Sequence, residues 1–415
     1  MIPMESERGD QRGGPPTSGR SADSPRLLRE INDQVVLGLL LDNGPMTRST
    51  VGELSGLSKP TVSSLLARLQ GRGLVTTAGV IANGPGPKAQ MYMVNRAAAY
   101  VIGIHVEQHG CIAALAGLTG EVVATCTVDV PARRSSAPVD EITRAVSGVL
   151  SRHGVRATQV HQVLVATPGV IDPVTGALRH ARHLSGWESP DLVEQLSAAL
   201  GIQVGHGNDV NLAAVAEGIH GAAKGQSDFA LLWLDRGVGL GMVLNGRLRT
   251  GAHGGAGEIG YLPVPGIERP RVDRGAAGAF QHLVGGQNMR ALARRQGIRG
   301  REPAQIVTAA LAAGPPGDEL ITQLAEGVAL GATAVTTLID PGLLVLGGPV
   351  GLAGGEVLLD KVIARMRQLS FVRPEVALST VTTDGVLRGA VEVALGSVRS
   401  TLYGQRMPGL AASMV

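Results

Sequence analysis

The feature that most limits the possible fold is a repeated order of strands and helices after residue 98. Short apolar strands alternate there with helical segments, and this alternation is typical of an α/β domain. The first copy comprises three strands between 98 and 130, a helix at 139–152, a strand at 162–166, a helix at 190–200 and a strand at 202–209. The same β-β-β-α-β-α-β order begins again near residue 228. We therefore expect a duplicated, two-lobed domain with a cleft between its lobes.

The N-terminal residues follow a different pattern. Residues 1–26 are rich in Gly, Pro, Ser and charged residues, which predicts a disordered tail. Four apolar residues then recur at helical spacing: Leu27, Ile31, Val35 and Leu39. This helix is expected to stop at the Asn-Gly pair 43–44, and a short second helix follows it.

A third helix is marked at both ends. Ser58 can cap its first turn, Pro60 lies where a missing N–H costs nothing, and Gly73 closes it. Its apolar face consists of Val62, Leu65, Leu66 and Leu69. Two short strands around a Gly/Pro tip come next. This order predicts a winged helix-turn-helix over residues 27–97, with its third helix in the DNA major groove.

Polar and basic residues on this domain are the candidates for DNA contact. They are Arg48, Ser58, Lys59, Thr61, Ser63, Ser64, Arg68, Arg72 and Lys88. The arginines and Lys88 are expected to meet phosphates, since guanidinium and ammonium groups neutralise the DNA backbone. The alternative is a small helical domain with basic, solvated faces.

Composition excludes several other classes of protein. The 415 residues exceed one ordinary domain, and 44% of them are hydrophobic, which excludes a disordered chain. The net charge of +3 permits a nucleic-acid partner without requiring one. Two cysteines, Cys111 and Cys126, cannot form a disulfide framework or a four-thiolate metal site. With neither a signal peptide nor an apolar segment long enough to span a bilayer, a soluble cytoplasmic protein without membrane partners is expected.

Several motifs together resemble one family. They are "ATPGVID", "LSGWESPDLVEQL", "GNDVNLAAVAEG", "GVGLGMVLNGRLRTGAHGGAGEIGY" and "LLVLGG". Behind a winged helix-turn-helix, they resemble the ROK family, named for repressor, open reading frame and kinase. The resemblance implies an actin-like, ribonuclease-H-like ATPase fold for residues 98–403, which leaves a C-terminal tail at 404–415. It also implies a homodimer or homotetramer.

The resemblance further implies a sugar pocket. Asp209 matches the catalytic aspartate of the kinases, Asn208 beside it binds hydroxyls, and Glu258 accepts protons from sugar hydroxyls. Tyr261 and Gln281 occupy the positions of a family His and Glu, which a tyrosine and a glutamine can replace as hydrogen-bonding groups. The alternative is that Asn208 or Asp209 merely caps a helix.

Two other parts of the kinase pattern are absent. The family's Asp-x-Gly-Gly-Thr-Lys turn cradles phosphate, but this chain has His105 in the Asp position and Glu107 and Gln108 in place of the two glycines. Productive ATP binding is therefore not expected, and no cofactor is predicted. The four zinc-ligand positions of the family hold Tyr261, Val272, Arg274 and Ala279, so no zinc is expected either.

Three functions are consistent with this pattern. The first is a DNA-binding transcriptional regulator, expected to be a repressor of sugar-related metabolism, whose operator binding responds to a sugar, amino sugar or sugar phosphate in a cleft without catalysis. The second is a sugar kinase, which Asp209 favours and the residues at 105–108 disfavour. The third is a regulator with a vestigial pocket, which the residues at Tyr261 and Gln281 favour.

Overall fold

The computed structural model describes residues 24–81, 88–130, 137–181, 184–267, 277–381 and 384–403. The chain forms two compact units that divide between Val94 and Asn95. Within the described residues, no helix is both long enough and apolar enough to cross a membrane.

The N-terminal unit has the predicted winged helix-turn-helix order. Its elements are α1 (Ser24–Asn43), β1 (Met46–Thr47), α2 (Arg48–Ser55), α3 (Lys59–Gly71), β2 (Val75–Ile81) and β3 (Ala89–Val94). The three strands form one antiparallel sheet in the order β1-β3-β2. The side chain of Thr47 caps α2, and that of Ser58 caps α3 by accepting from the backbone N–H of Thr61. Local capping chemistry therefore fixes where both helices of the motif begin.

The apolar face of α3 is buried as predicted, since Val62, Leu65, Leu66 and Leu69 all lie in the core. The apolar stripe predicted on α1 differs from the face of the helix that is buried. Ile31 and Val35 are exposed, while Val36, Leu37 and Leu40 are buried. Residues 35–41 of α1 are almost all apolar, so helical spacing could not indicate which face packs inward.

The second unit begins with a five-stranded sheet. Its strands are β4 (Tyr100–Glu107), β5 (Gly110–Gly117), β6 (Val122–Asp129), β7 (Val160–Thr167) and β10 (Val204–Asn208), and its helices are α4 (Pro138–His153), α5 (Leu192–Leu200) and α6 (Asp209–His220). A two-stranded ribbon, β8 (Val170–Ile171) and β9 (Leu178–Arg179), follows β7. The strand order is β10-β7-β4-β5-β6, with the first two pairings parallel and the others antiparallel.

A second five-stranded sheet repeats this arrangement. Its elements are β11 (Phe229–Leu234), β12 (Val238–Leu244), β13 (Arg247–Leu248), α7 (Ala279–Val284), α8 (Gly286–Arg295), α9 (Pro303–Leu311), α10 (Pro315–Ile339), β14 (Leu343–Gly347), α11 (Gly348–Leu369), β15 (Glu375–Leu378) and α12 (Gly385–Tyr403). The order β15-β14-β11-β12-β13 matches that of the first sheet strand for strand. The predicted duplication is thereby confirmed.

Each sheet has its own core, and two helices connect them. The second core is built from strands β11, β12 and β14 with α7 to α11, and the first from strands β4 to β10 with α4 and α5. Helix α6 contacts β11 and β12 of the second sheet, while α12 returns to pack on α6, β4 and β7. We call the first sheet with its helices lobe one and the second lobe two. The carboxyl ends of β4, β10 and β11 carry the candidate site residues described next.

Candidate functional site in the cleft of the second unit

Asn208 and Asp209 lie where β10 ends and α6 begins. Asn208 caps the helix, because its Oδ1 accepts from the backbone N–H of Asn211 at 3.0 Å. Its Nδ2 donates to the backbone oxygen of Gly169 at 2.9 Å. Asp209 is the first helical residue, and its Oδ1 accepts from the N–H of Val210 at 2.7 Å. The capping interpretation therefore holds for Asn208, whereas the predicted sugar contacts of both residues stay predictions.

Charged residues from separate segments of the chain affect the pKa of Asp209. Burial raises the pKa of its carboxyl group, His105 on β4 opposes that rise, and the charges of Glu258 and Asp235 add to it. The pKa values of Glu258 and Asp235 are raised as well, in both cases mainly by burial. Carboxyl groups that are half-buried and close to one another hold protons more readily than isolated ones. These side chains can therefore accept or donate hydrogen bonds to a polar ligand.

The glycine-rich stretch from Asp235 to Tyr261 owes its composition to packing against protein backbone. A Cβ on Gly257 would lie 2.0 Å from the carbonyl oxygen of Leu240, and Gly257 has a positive φ of 94°. A Cβ on Gly254 would lie 2.0 Å from the oxygen of Ile171, a residue of lobe one. Only glycine fits at such distances. These close approaches place Glu258 just before the short 3₁₀ helix Ile259–Tyr261.

Tyr261 and Gln281 have different surroundings from each other. The Tyr261 side chain is 39% exposed, and its ring meets the ring of His180 edge to face, with centroids 6.4 Å apart. The amide of Gln281 is bonded at both ends to the turn between β11 and β12. Its Oε1 accepts from the N–H of Val238 at 2.9 Å, and its Nε2 donates to the oxygen of Arg236 at 2.8 Å. A sugar could contact this amide only by sharing or replacing these two hydrogen bonds.

Side chains occupy the turn where the family kinases have Gly-Gly. Glu107 and Gln108 are exposed at the end of β4 and in the turn after it. The Nδ1 atom of His105 lies 3.9 Å from Oε1 of Glu107. A glutamate carboxylate here would repel a phosphate.

The zinc-loop positions are only partly within the described residues. Val272 and Arg274 lie outside them. Ala279 is the first residue of α7, and a Cβ on the preceding Gly278 would lie 2.3 Å from the Cα of Tyr261. Within the described ranges, no cluster of three or more His, Cys, Asp or Glu side chains could hold a metal ion.

The predicted DNA-contact residues fall into two groups in the N-terminal unit. Lys59, Thr61, Ser64 and Lys88 are exposed, as is the capping residue Ser58, while Ser63 donates to the backbone oxygen of Lys59 at 2.8 Å. The arginines already have protein partners. Arg48 donates to the Tyr92 hydroxyl at 3.0 Å, and Arg68 and Arg72 both form ion pairs with Asp33. Their DNA contacts remain predictions.

Sequence reasoning missed a charged group beside the cleft: Asp235, Arg236 and Glu302. Arg236 donates through Nε to Oε2 of Glu302 at 2.8 Å and through Nη1 to Oε1 of Gln108 at 3.0 Å. The available signal was an Asp-Arg-Gly sequence directly after the buried strand β11, since polar residues at such strand ends commonly belong to sites.

Comparisons with known proteins match both units of the chain to family models. The ROK family model matches residues 101–396, and the MarR family model matches residues 35–82. The DNA-binding transcriptional dual regulator NagC of Escherichia coli K12 is 26% identical over 336 residues, covering 78% of this chain and 82% of that protein. The xylose repressor of Caldicellulosiruptor bescii is 22% identical over 395 residues, covering 90% of this chain and 98% of that protein.

Solved structures share the fold. A ROK family transcriptional regulator, described as a homolog of the E. coli MLC protein, superposes with a TM-score of 0.70 at 20% identity, covering 92% of this chain and 98% of that one. The ROK family glucokinase of Streptomyces griseus, solved with glucose and AMPPNP, superposes with a TM-score of 0.58 at 23% identity, covering 71% of this chain and 99% of that one. Because the family model spans most of the chain, this protein belongs to the ROK family.

Proposed function

We propose that this chain is a DNA-binding transcriptional repressor of sugar-related metabolism, active in the cytoplasm, whose operator binding is modulated by a sugar in the cleft of its ROK domain. The observation that carries the proposal is the combination in one chain of a winged helix-turn-helix and a ROK domain. Relatives over most of the chain are named as transcriptional regulators or repressors. A ligand that binds one conformation of the ROK domain more tightly increases the population of that conformation. If that conformation also determines the arrangement of the DNA-binding units, the ligand changes the affinity for DNA.

We infer that the cleft binds its ligand without catalysis. Asp209 and Glu258 are half-buried carboxyl groups near each other, and such groups discriminate ligands that satisfy their hydrogen bonds. The first hairpin disfavours a nucleotide, since Glu107 and Gln108 stand where the kinases expose backbone N–H groups. The effector is thus a sugar, amino sugar or sugar phosphate bound without ATP.

Two alternatives rest on specific residues. Asp209 favours a sugar kinase, because it stands at the position of the catalytic base. The engagement of Gln281 by backbone favours a vestigial pocket. The assembly is proposed to be a homodimer or homotetramer, because a two-fold operator requires paired DNA-binding units. Analytical ultracentrifugation with and without operator DNA measures it directly.

The decisive experiment is a thermal-shift screen of the wild type, Asp209→Asn and Glu258→Gln against neutral sugars, amino sugars, their phosphates, and ATP with magnesium. A ligand that binds only the folded state raises the melting temperature. One sugar class should stabilise the wild type and neither variant, and that sugar should then alter binding to a duplex selected from a random library. Stabilisation by magnesium ATP would support the kinase. Absence of any shift, together with DNA binding, would support the vestigial pocket.

Lys224→Ala is the matched control in this screen. Lys224 is an exposed residue of the second unit, outside the cleft segments, so its removal should leave the ligand response unchanged. A protein that selects no duplex from the library under any condition would contradict the regulator itself.

A further inference from the structure

Two turns from different sheets meet beside the cleft. Gln108 lies in the turn between β4 and β5, and Arg236 lies in the turn between β11 and β12. Nη1 of Arg236 donates a hydrogen bond to Oε1 of Gln108, with 3.0 Å between the two atoms. The bond therefore connects lobe one to lobe two. It does so at the hairpin that corresponds to the phosphate-binding turn of the family kinases.

The Arg236 end of this bond is fixed to lobe two by several contacts. Its Nε donates to Oε2 of Glu302 at 2.8 Å, and Glu302 also caps the start of α9. Its backbone oxygen accepts from Nε2 of Gln281 at 2.8 Å and from the N–H of Gly286 at 3.1 Å. Contacts within lobe two thus hold both the backbone and the side chain of Arg236 in place, independently of its bond to lobe one.

The Gln108 end is held by less. Its side chain is exposed in a short hairpin turn, and the amide oxygen accepts the Arg236 bond. The neighbouring carboxylates of Glu107 and Asp235 favour the guanidinium at this place, since both stabilise its positive charge. A cationic side chain between two acidic turns offsets a repulsion that would otherwise push the two lobes apart.

We propose that the Arg236–Gln108 hydrogen bond is a clasp that holds the two lobes together across the cleft, at the hairpin where the family kinases bind nucleotide phosphate. Here a glutamine in place of glycine supplies an acceptor, and an arginine fixed on the opposite lobe supplies the donor. The clasp allows the cleft to close in the absence of ATP. When the hydrogen bond breaks, the cleft opens. It does not depend on the identity of the effector or on DNA binding.

The test measures the distance between the lobes directly. Spin labels on Thr127→Cys in β6 and Arg294→Cys in α8, both exposed positions, report the lobe separation by pulsed dipolar spectroscopy. Cys111 and Cys126 are replaced by alanine in this background. The full-length protein without ligand should give a closed population, and Gln108→Ala should raise the open population by roughly two- to tenfold, as expected for the loss of one hydrogen bond.

Three further variants separate the clasp from general destabilisation. Arg236→Ala should open the lobes at least as far as Gln108→Ala, and the double variant should open them no further than Arg236→Ala alone. Arg290→Ala is the matched control, because Arg290 lies 3.7 Å from the same Glu302 carboxylate and donates through Nε to the backbone oxygen of Arg301 rather than to Gln108. It should leave the distribution unchanged.

Gln108→Glu keeps the test decisive if Arg236→Ala does not fold. An ion pair with Arg236 should lower the open population at low salt, and about 1 M salt should remove most of this gain by screening. Distance distributions that are the same for wild type, Gln108→Ala and Gln108→Glu would overturn the proposal. Additive effects of the two alanine substitutions would overturn it as well.

Discussion

Arg68 of α3 is paired with Asp33 of α1, a residue that is only 5% exposed in the N-terminal unit. Nε of Arg68 lies 3.3 Å from Oδ2 of Asp33, and Nη2 contacts Oδ1. Nη1 of Arg72, the C-cap residue of α3, lies 3.6 Å from Oδ2 of the same carboxylate. Two of the arginines predicted to meet DNA therefore fix the end of α3 against α1.

This pairing predicts that Arg68→Ala destabilises the N-terminal unit. The substitution leaves a buried carboxylate with only the longer Arg72 contact, and we expect a loss of about 1–3 kcal/mol in the free energy of unfolding. Urea unfolding followed by circular dichroism measures it. Lys59→Ala is the control, since Lys59 is exposed at the start of the same helix. Weaker DNA binding by Arg68→Ala with undiminished stability would instead assign Arg68 to DNA alone.

The DNA face is better tested at Lys59 and Lys88. Both lysines are exposed, and each is expected to neutralise one phosphate. Replacing either by Ala should weaken binding across sequences and flatten the slope of log affinity against log salt by about 0.9. Fluorescence anisotropy titrations at several salt concentrations provide the slope, and Lys224→Ala in the second unit should preserve it. An unchanged slope in both lysine variants would mean that the DNA face lies elsewhere.

His206 makes stability depend on pH. Burial lowers its pKa to about 4, and its Nε2 lies 2.7 Å from the hydroxyl of fully buried Thr167. The imidazole is therefore neutral in the folded state, whereas the unfolded chain takes up a proton below about 6.5. This contribution to stability is complete above the unfolded pKa and is lost as the pH falls toward 4.

Relative to His206→Gln, the wild type should lose about 2 kcal/mol of stability between pH 7 and pH 4.5. Raised pKa values elsewhere, such as that of Glu258, act in the opposite direction but are common to both proteins. Denaturant unfolding at a series of pH values gives the difference. Parallel curves for the two proteins would show that folding leaves the pKa of His206 unchanged.

The two thiols should be inert until the protein unfolds. Cys111 on β5 and Cys126 on β6 are buried, and burial together with the Glu141 carboxylate raises the pKa of the Cys111 thiol. We expect both to react at least about a hundredfold more slowly with a thiol reagent in the native protein than in urea. Val122→Cys places an exposed thiol on the same strand as Cys126 and should react at once. Rapid labelling of one native cysteine would indicate that β5 and β6 open locally.

The sequence predicted the fold wherever local chemistry was unambiguous. Ser58 and Pro60 define the start of α3, and the apolar residues of that helix lie on one face, so its core was correctly identified. Helix α1 is apolar on several sides, and its packing depends on the partner of Asp33, which is 35 residues away in sequence. Such a long-range ion pair has no periodicity by which it could be recognised.

The grouping of the candidate site residues could be predicted in part, while their ligand contacts stay predictions. Motif resemblance selected Asp209 and Glu258, and the structure brings them close enough for their charges to interact. Arg236 was missed because its role depends on Gln108 and Glu302, which lie 128 and 66 residues away in the chain. Gln281 was selected by position in a motif, although its amide is bonded to the backbone of Arg236 and Val238. Hydrogen bonds to backbone cannot be read from residue type.

The matching strand order of the two sheets has a consequence for measurement. β4 and β5 correspond to β11 and β12, so Gln108 and Arg236 stand in equivalent turns of the two halves. The two repeats of the second unit therefore contact each other through equivalent turns. A rotation of one half against the other about an axis that does not pass through both turns alters their separation, so this pair of residues reports such a motion. One distance can then follow a motion that otherwise involves two whole sheets.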